Sequence, residues 1–179
     1  MLFIVADLLK GPRGATKVYA IDEKPQFELE GARLLRDVTG SVELMRTQQG
    51  VLARADLQVD AEIPCARCLK AATTTLTAHI EDEFRPTVDV FSGQGAFPEP
   101  EELVDEDLLI DGQHVLNLDE PARQEFQLAI PTKPLCREEC PGLCPHCGQD
   151  LSEGECNCLP ETDERWSDLR HLLRERATQ

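Results

Sequence analysis

Eight cysteines grouped as four close pairs constrain this chain more than any other feature. Six of them fall in residues 136–158, "CREECPGLCPHCGQDLSEGECNC", and the other pair, "CARC" at 65–68, lies about seventy residues upstream. Zinc binds four thiolates tetrahedrally, and a Cys-x-x-Cys turn lets two sulfurs converge on one ion at about 2.3 Å each. In "CPHCG", Pro145 stiffens such a turn, and Gly148 can take the left-handed conformation that points backbone amides at the sulfurs. Each pair is therefore half of a metal site.

The half-sites Cys65/Cys68, Cys136/Cys140, Cys144/Cys147 and Cys156/Cys158 can combine in three ways. Joining Cys144 and Cys147 to Cys156 and Cys158 closes only the eight residues "GQDLSEGE", which include the turn-forming Gly154, and a short loop costs little entropy. This makes a ribbon-like first site. Cys65, Cys68, Cys136 and Cys140 are then left for a second site, closing a long loop. The rival grouping puts Cys136, Cys140, Cys144 and Cys147 on one ion and leaves "CARC" to Cys156/Cys158 or to no metal. The expected cofactor is zinc, two ions, both structural.

A dithiol oxidoreductase is disfavoured, because redox Cys-x-x-Cys motifs open a helix beside a parallel strand, whereas "CARC" lies between two alternating segments. A zinc-dependent redox switch and a general zinc-ribbon interaction module stay open. Catalytic zinc keeps an open position and uses His or carboxylate ligands, so two closed thiolate sets argue against an enzyme. His146 reads as a spacer within its turn. His79, His114 and His171 have no spacing that joins them to a metal or nucleophile. "GQG" at 93–95 is too short a signal for a phosphate loop.

With 34 acidic and 18 basic residues, the formal charge of −16 repels bare nucleic acid and favours basic protein partners. Only 164–176, "ERWSDLRHLLRER", is rich in Arg. No apolar run approaches the eighteen or so residues of a membrane span, and "MLFIVADLLKGP" lacks a basic n-region and a small-residue cleavage site. The expectation is a soluble, cytoplasmic protein with no membrane partner and no small-molecule substrate. In that reducing compartment cysteines serve as ligands more often than as disulfides. At 179 residues the chain can bury roughly 70% of its unfolded surface, so metal would staple a core rather than replace one.

From Val51 to Ile63 the odd positions are apolar and most even ones polar, the period of a half-buried strand. Val38, Val42 and Leu44 alternate just before it, and "TQQG" connects the two as a hairpin. Residues 72–84 alternate again, with Leu76, Ala78, Ile80 and Phe84 on one face and Thr73, Thr75, Thr77 and His79 on the other. "CARC" must be the turn between those strands. Residues 1–9 and 15–23 add further extended segments. A helix is expected at about 118–130, with Asp119 as N-cap, Pro121 in its first turn, Pro131 after it and Leu118, Ala122, Phe126 and Ala129 or Ile130 on its apolar face. A second begins near Thr162 or Asp163, with Trp166, Leu169, Leu172 and Leu173 as its stripe.

The fold class read from these patterns is α+β: an antiparallel, barrel-like β-sheet with one or two helices and a C-terminal zinc-ribbon-like segment. The domain reading is 1–130 for the β-rich part, including an acidic insert at about 86–107, and 131–179 for the Cys-rich segment and C-terminal helix.

The order of motifs resembles the bacterial YceD family. "PCARCL", the acidic insert, a helix running into "LAIPTKPLC", then "CPGLCPHCGQDL" with "CNC", and finally "DERWSDLRHLL" follow one another from about 35 to 174. Glu164 stands where that family commonly has Pro, a change compatible with a helix start. Other members lack much of the C-terminal Cys cluster, so the metal reading rests on this chain's own spacing. The resemblance implies a ribosome-biogenesis factor needed for accumulation of large-subunit (23S) ribosomal RNA, in a family whose gene often neighbours that of a large-subunit ribosomal protein. Its implied partners are ribosomal proteins or the large-subunit precursor, with direct rRNA contact left open.

Overall fold

The computed structural model describes residues 1–95 and 105–158. The expected C-terminal helix, its Trp166 stripe and the centre of the acidic insert lie outside these residues.

The chain opens with a short strand, β1 (Leu2–Ile4), and a single helical turn and a half, α1 (Ala6–Lys10). Strand β2 (Thr16–Glu23), a two-residue β3 (Arg33–Leu34), β4 (Val38–Arg46), β5 (Val51–Pro64) and β6 (Ala71–Pro86) follow. A 3-10 turn at Glu106–Leu108 leads into β7 (Leu109–Ile110) and β8 (Val115–Asn117), and α2 (Asp119–Leu128) ends the regular structure among the described residues. The main sheet has the order β2-β4-β5-β6-β7, with β3 added to β5 beyond the reach of β4.

Alternation sets the two faces of this sheet. In β5, Val51, Ala53, Ala55, Leu57, Val59, Ala61 and Ile63 are all buried, and across the ladder Leu76, Ala78, Ile80 and Phe84 of β6 join them. Ala55 lies opposite Ile80, Val59 opposite Leu76 and Val51 opposite Phe84, so the pairing places apolar against apolar at each second step. Gly50 feeds β5 past Phe84 so closely that a Cβ there would collide with the Phe84 carbonyl oxygen. At about 3.3 Å per residue, the 14 residues of β5 carry the far tip of the hairpin, where "CARC" sits, some 45 Å from its base.

The barrel expectation is corrected: the sheet stays open. Closure would require its edge strands to pair, but β7 is two residues long and parallel to β6, and β2 has no second strand partner among the described residues. Residues 1–9, expected as a further extended segment of the sheet, do not join it. Only Leu2–Ile4 is extended, and it pairs with β8 in a separate ribbon, while Leu8 and Leu9 bury from α1. The apolar face of the sheet is covered by α1, that ribbon and α2, with Leu116, Leu118, Ala122 and Phe126 all fully buried in one cluster with the strand residues.

Helix α2 keeps its expected place and apolar face, but Asp119 is not its N-cap. Leu118 holds that position without a side-chain cap, and the Asp119 amide donates to Asn117 Oδ1 instead. Gln127 of α2 clamps the loop before β3 by exchanging two hydrogen bonds with the Glu30 backbone, and Phe27 of the same loop stacks on Phe126 at 6.2 Å between centroids.

Candidate metal centre

The chain builds the same turn twice. In "CARCL" the Cys65 amide donates to the Lys70 carbonyl and the Leu69 amide to the Cys65 carbonyl. In "CPHCG" the Cys144 amide donates to the Gln149 carbonyl and the Gly148 amide to the Cys144 carbonyl. The residue after the second cysteine is left-handed in both, φ 73° for Gly148 and 61° for Leu69. That conformation turns the intervening amides inward toward the first sulfur, as at Arg67, whose amide donates to Cys65 Sγ at 3.4 Å.

Sequence reasoning does not single out Leu69. Aligning its turn with "CPHCG" is the signal that finds it, since it occupies the glycine position. A left-handed leucine is strained by about 1–2 kcal/mol. Leu69 is exposed, so its side chain gains little packing in return. Leu69→Gly is therefore expected to leave metal content unchanged and to raise unfolding free energy by up to about 1 kcal/mol, read from denaturant midpoints. A loss of stability would show that the leucine side chain packs usefully.

The cysteine sulfurs gather into two groups, Cys65, Cys68, Cys136 and Cys140 in one and Cys144, Cys147, Cys156 and Cys158 in the other, each with its sulfurs within 4.8 Å of one another. The rival grouping of Cys136 and Cys140 with Cys144 and Cys147 is not the one adopted. In the first group Cys65, Cys68 and Cys140 are buried with Leu143 against them, and Cys136 is exposed. Cys65 Sγ stands 3.8 Å from Cys140 Sγ, and Cys68 Sγ 3.6 Å from Cys136 Sγ. Four sulfurs each about 2.3 Å from a common centre stand about 3.8 Å apart, whereas a disulfide requires about 2.05 Å. The spacing fits a tetrahedral ion.

Electrostatics give the same answer. The amides of Cys68 and Arg67 hold the Cys65 thiol well below its ordinary range, at about 6. The neighbouring Cys68 sulfur, with burial, pushes Cys136 up to about 12. In the second group the Cys147 and His146 amides hold Cys144 at about 6, while the Cys147 sulfur pushes Cys158 up to about 12. One thiol in each group is ready to ionise and another is barred from doing so by the crowd of sulfurs. A divalent cation removes that obstacle, because it stabilises all four thiolates together.

Within the first group Arg67 Nη1 donates to the Cys140 carbonyl and the Ala66 amide to the Pro134 carbonyl, and the second turn is stitched to the first by the Leu143 amide, which donates to the Arg67 carbonyl. Gly142, with φ 80°, lets the second turn approach Arg67; a Cβ there would stand 3.1 Å from the Arg67 carbonyl oxygen. Lys70 Nζ reaches Asp150 Oδ2 at 2.6 Å and Glu153 Oε1 at 3.1 Å. The first of these, more than the second, holds the Lys70 ammonium above its usual range, and Lys70 holds the Asp150 carboxyl well below the usual carboxylate range. His146 is exposed and contributes its amide rather than its ring. His79 pairs with Asp56 at 2.6 Å on the outer face of the sheet, away from either group, and His114 lies in the turn before β8. His171 is outside the described residues.

An open, mostly antiparallel sheet, covered on one face by helices and a short ribbon and carrying two four-cysteine groups able to hold metal, defines the class of protein. Residues 53–173 match the family described as "Large ribosomal RNA subunit accumulation protein YceD", and the chain belongs to that family. It is also similar to proteins of Mycobacterium bovis and of two strains of Mycobacterium tuberculosis, each described as an uncharacterized protein. Each is 27% identical over 173 residues, covering 96% of this chain and 74% of the relative. No solved structure matches it. Among the described residues no helix is long and apolar enough to cross a membrane.

Proposed function

We propose that this protein is a cytoplasmic ribosome-biogenesis factor, needed for accumulation of 23S ribosomal RNA, that acts by binding rather than by catalysis and carries two structural zinc ions. The observation that carries this reading is the family match over residues 53–173, which takes in "CARC", α2 and the cysteine-rich segment. The donor sets support the metal part: eight thiolates in two closed groups of four leave no open position for substrate or water. They hold the loop of 67 residues between Cys68 and Cys136 and the local loop between Cys147 and Cys156.

The partner class follows from charge. A −16 chain repels phosphate, so large-subunit ribosomal proteins, which must be basic to bind RNA, or a surface of the precursor that displays them, suit it better than naked rRNA. The outer face of the sheet is mixed in charge, with Glu62 paired to Arg33, Asp60 to Arg36 and Glu81 to Arg54, so the acidic excess that suits a basic partner is a property of the whole chain. Deleting the gene and profiling ribosomal subunits and rRNA tests the function: a deficit of large subunits and 23S rRNA is expected, and an unchanged profile would sink the assignment. Tight, salt-sensitive binding to isolated rRNA with none to ribosomal proteins would reverse the choice of partner.

A further inference from the structure

We propose that the two centres differ in kind, the group of Cys65, Cys68, Cys136 and Cys140 being a permanent staple and the group of Cys144, Cys147, Cys156 and Cys158 an oxidation site, at which Cys147 and Cys158 form a disulfide and release the ion. The inference rests on the metal reading above. Its basis is the unequal shielding of two otherwise equivalent centres. In the staple three of four sulfurs are buried, with Cys65 0% and Cys140 2% exposed. Its only exposed member, Cys136, stands 3.6 Å from the sulfur of Cys68, which is itself buried, 6% exposed. In the other centre only Cys144 is buried; Cys147 is exposed, and Cys156 and Cys158 are half-exposed.

Peroxides oxidise thiolates they can reach. The exposed Cys147 thiolate attacks the peroxide O–O bond, giving a sulfenic acid and hydroxide. The Cys158 thiolate, whose sulfur lies within 4.8 Å, then attacks the sulfenic sulfur, forming the S–S bond and expelling a second hydroxide. Two thiolates lose two electrons in total and the peroxide is reduced to two hydroxides. The ion keeps only Cys144 and Cys156 and leaves. The hairpin 142–151 remains fastened through Leu143 to Arg67 and through Asp150 to Lys70, so the sheet and the staple are undisturbed.

The test uses the full chain, purified with zinc, exposed to excess hydrogen peroxide, with released zinc followed by a chromogenic chelator and thiols mapped by alkylation and mass spectrometry. Release of half the zinc, together with a Cys147–Cys158 disulfide while Cys65, Cys68 and Cys140 remain alkylatable only after unfolding, is expected. Parallel loss of both ions, loss first from the staple with Cys136 oxidised, or retention of all zinc would each overturn the proposal. Protein that contains no zinc before oxidant is added would fail earlier, at the metal reading itself. A Cys147→Ser chain should start with half the zinc and release none of it under the same treatment; release from that chain would place the reactive centre at the staple.

Discussion

Cys68→Ser, on the proposal that each four-cysteine group holds one zinc ion, is expected to take bound zinc from two ions per chain to one and to lower the thermal midpoint by on the order of 10 °C. Cys68 is 6% exposed and its sulfur stands 3.6 Å from that of Cys136, so a serine hydroxyl in its place is both too short to reach the ion and a weaker ligand for it. With three thiolates the group can no longer close a tetrahedral site around an ion. The lost ion closes 67 residues between Cys68 and Cys136, the longer of the two loops, and closing a long loop removes more freedom from the unfolded chain. The centre at Cys144 should keep its ion, because its ligands all lie within 15 residues and its turn is complete in itself. Cys158→Ser should also leave one ion but move the midpoint less. Elemental analysis and thermal unfolding of the two variants separate the cases: if Cys68→Ser strips both ions, the Arg67 and Lys70 contacts do more than fasten the second turn and are a condition of its folding.

Much of this architecture is legible in the sequence because one strand period and one short loop dominate it. The run Val51–Ile63 alternates at every step but Leu52, and a strand with every second residue apolar can bury only one way, which fixes its face and its partners' register together. The grouping of cysteine sulfurs is legible from loop length, since joining Cys147 to Cys156 closes only eight residues and leaves the other two pairs to each other. What escaped is where local pattern and tertiary demand part. Residues 1–9 are apolar enough for a strand, yet Leu8 and Leu9 lie adjacent and are both buried, which a strand with one buried face cannot do and a helix can. The open edge of the sheet could not be read because β7 is two residues long, below any periodicity. Asp119 looked like a cap by residue type, but its carboxylate accepts from the Met1 ammonium and its own amide donates to Asn117 Oδ1. Leu69 hid because leucine does not announce a left-handed backbone; only its structural twin Gly148 does.

Phe126→Ala is expected to cost about 3–5 kcal/mol of unfolding free energy, the usual range for removing a buried phenylalanine. At about 2–4 °C per kcal/mol for a chain of this size, the midpoint falls by on the order of 10 °C. Phe126 is 0% exposed at the centre of the α2 face, between Leu118, Ala122 and the strand cluster, and the cavity left by its ring cannot collapse easily. The sheet behind it is held in register by the whole β5–β6 ladder, and the loop in front is held by the Gln127 clamp on Glu30. Phe27, stacked on Phe126 at 6.2 Å, loses its partner, so Phe27→Ala in the Phe126→Ala background should cost less than it does in the wild type. Zinc content is the readout that separates core from staple. Phe126→Ala should keep both ions at temperatures below its midpoint, since the cysteine turns are tied to the hairpin tip through Ala66, Arg67 and Lys70 rather than through α2. Phe91→Ala, at a ring 76% exposed, supplies the control and should change neither quantity measurably. If Phe126→Ala loses zinc and stability together, α2 positions Cys136 across Pro131, and the core and the metal centres form one cooperative unit rather than two joined ones.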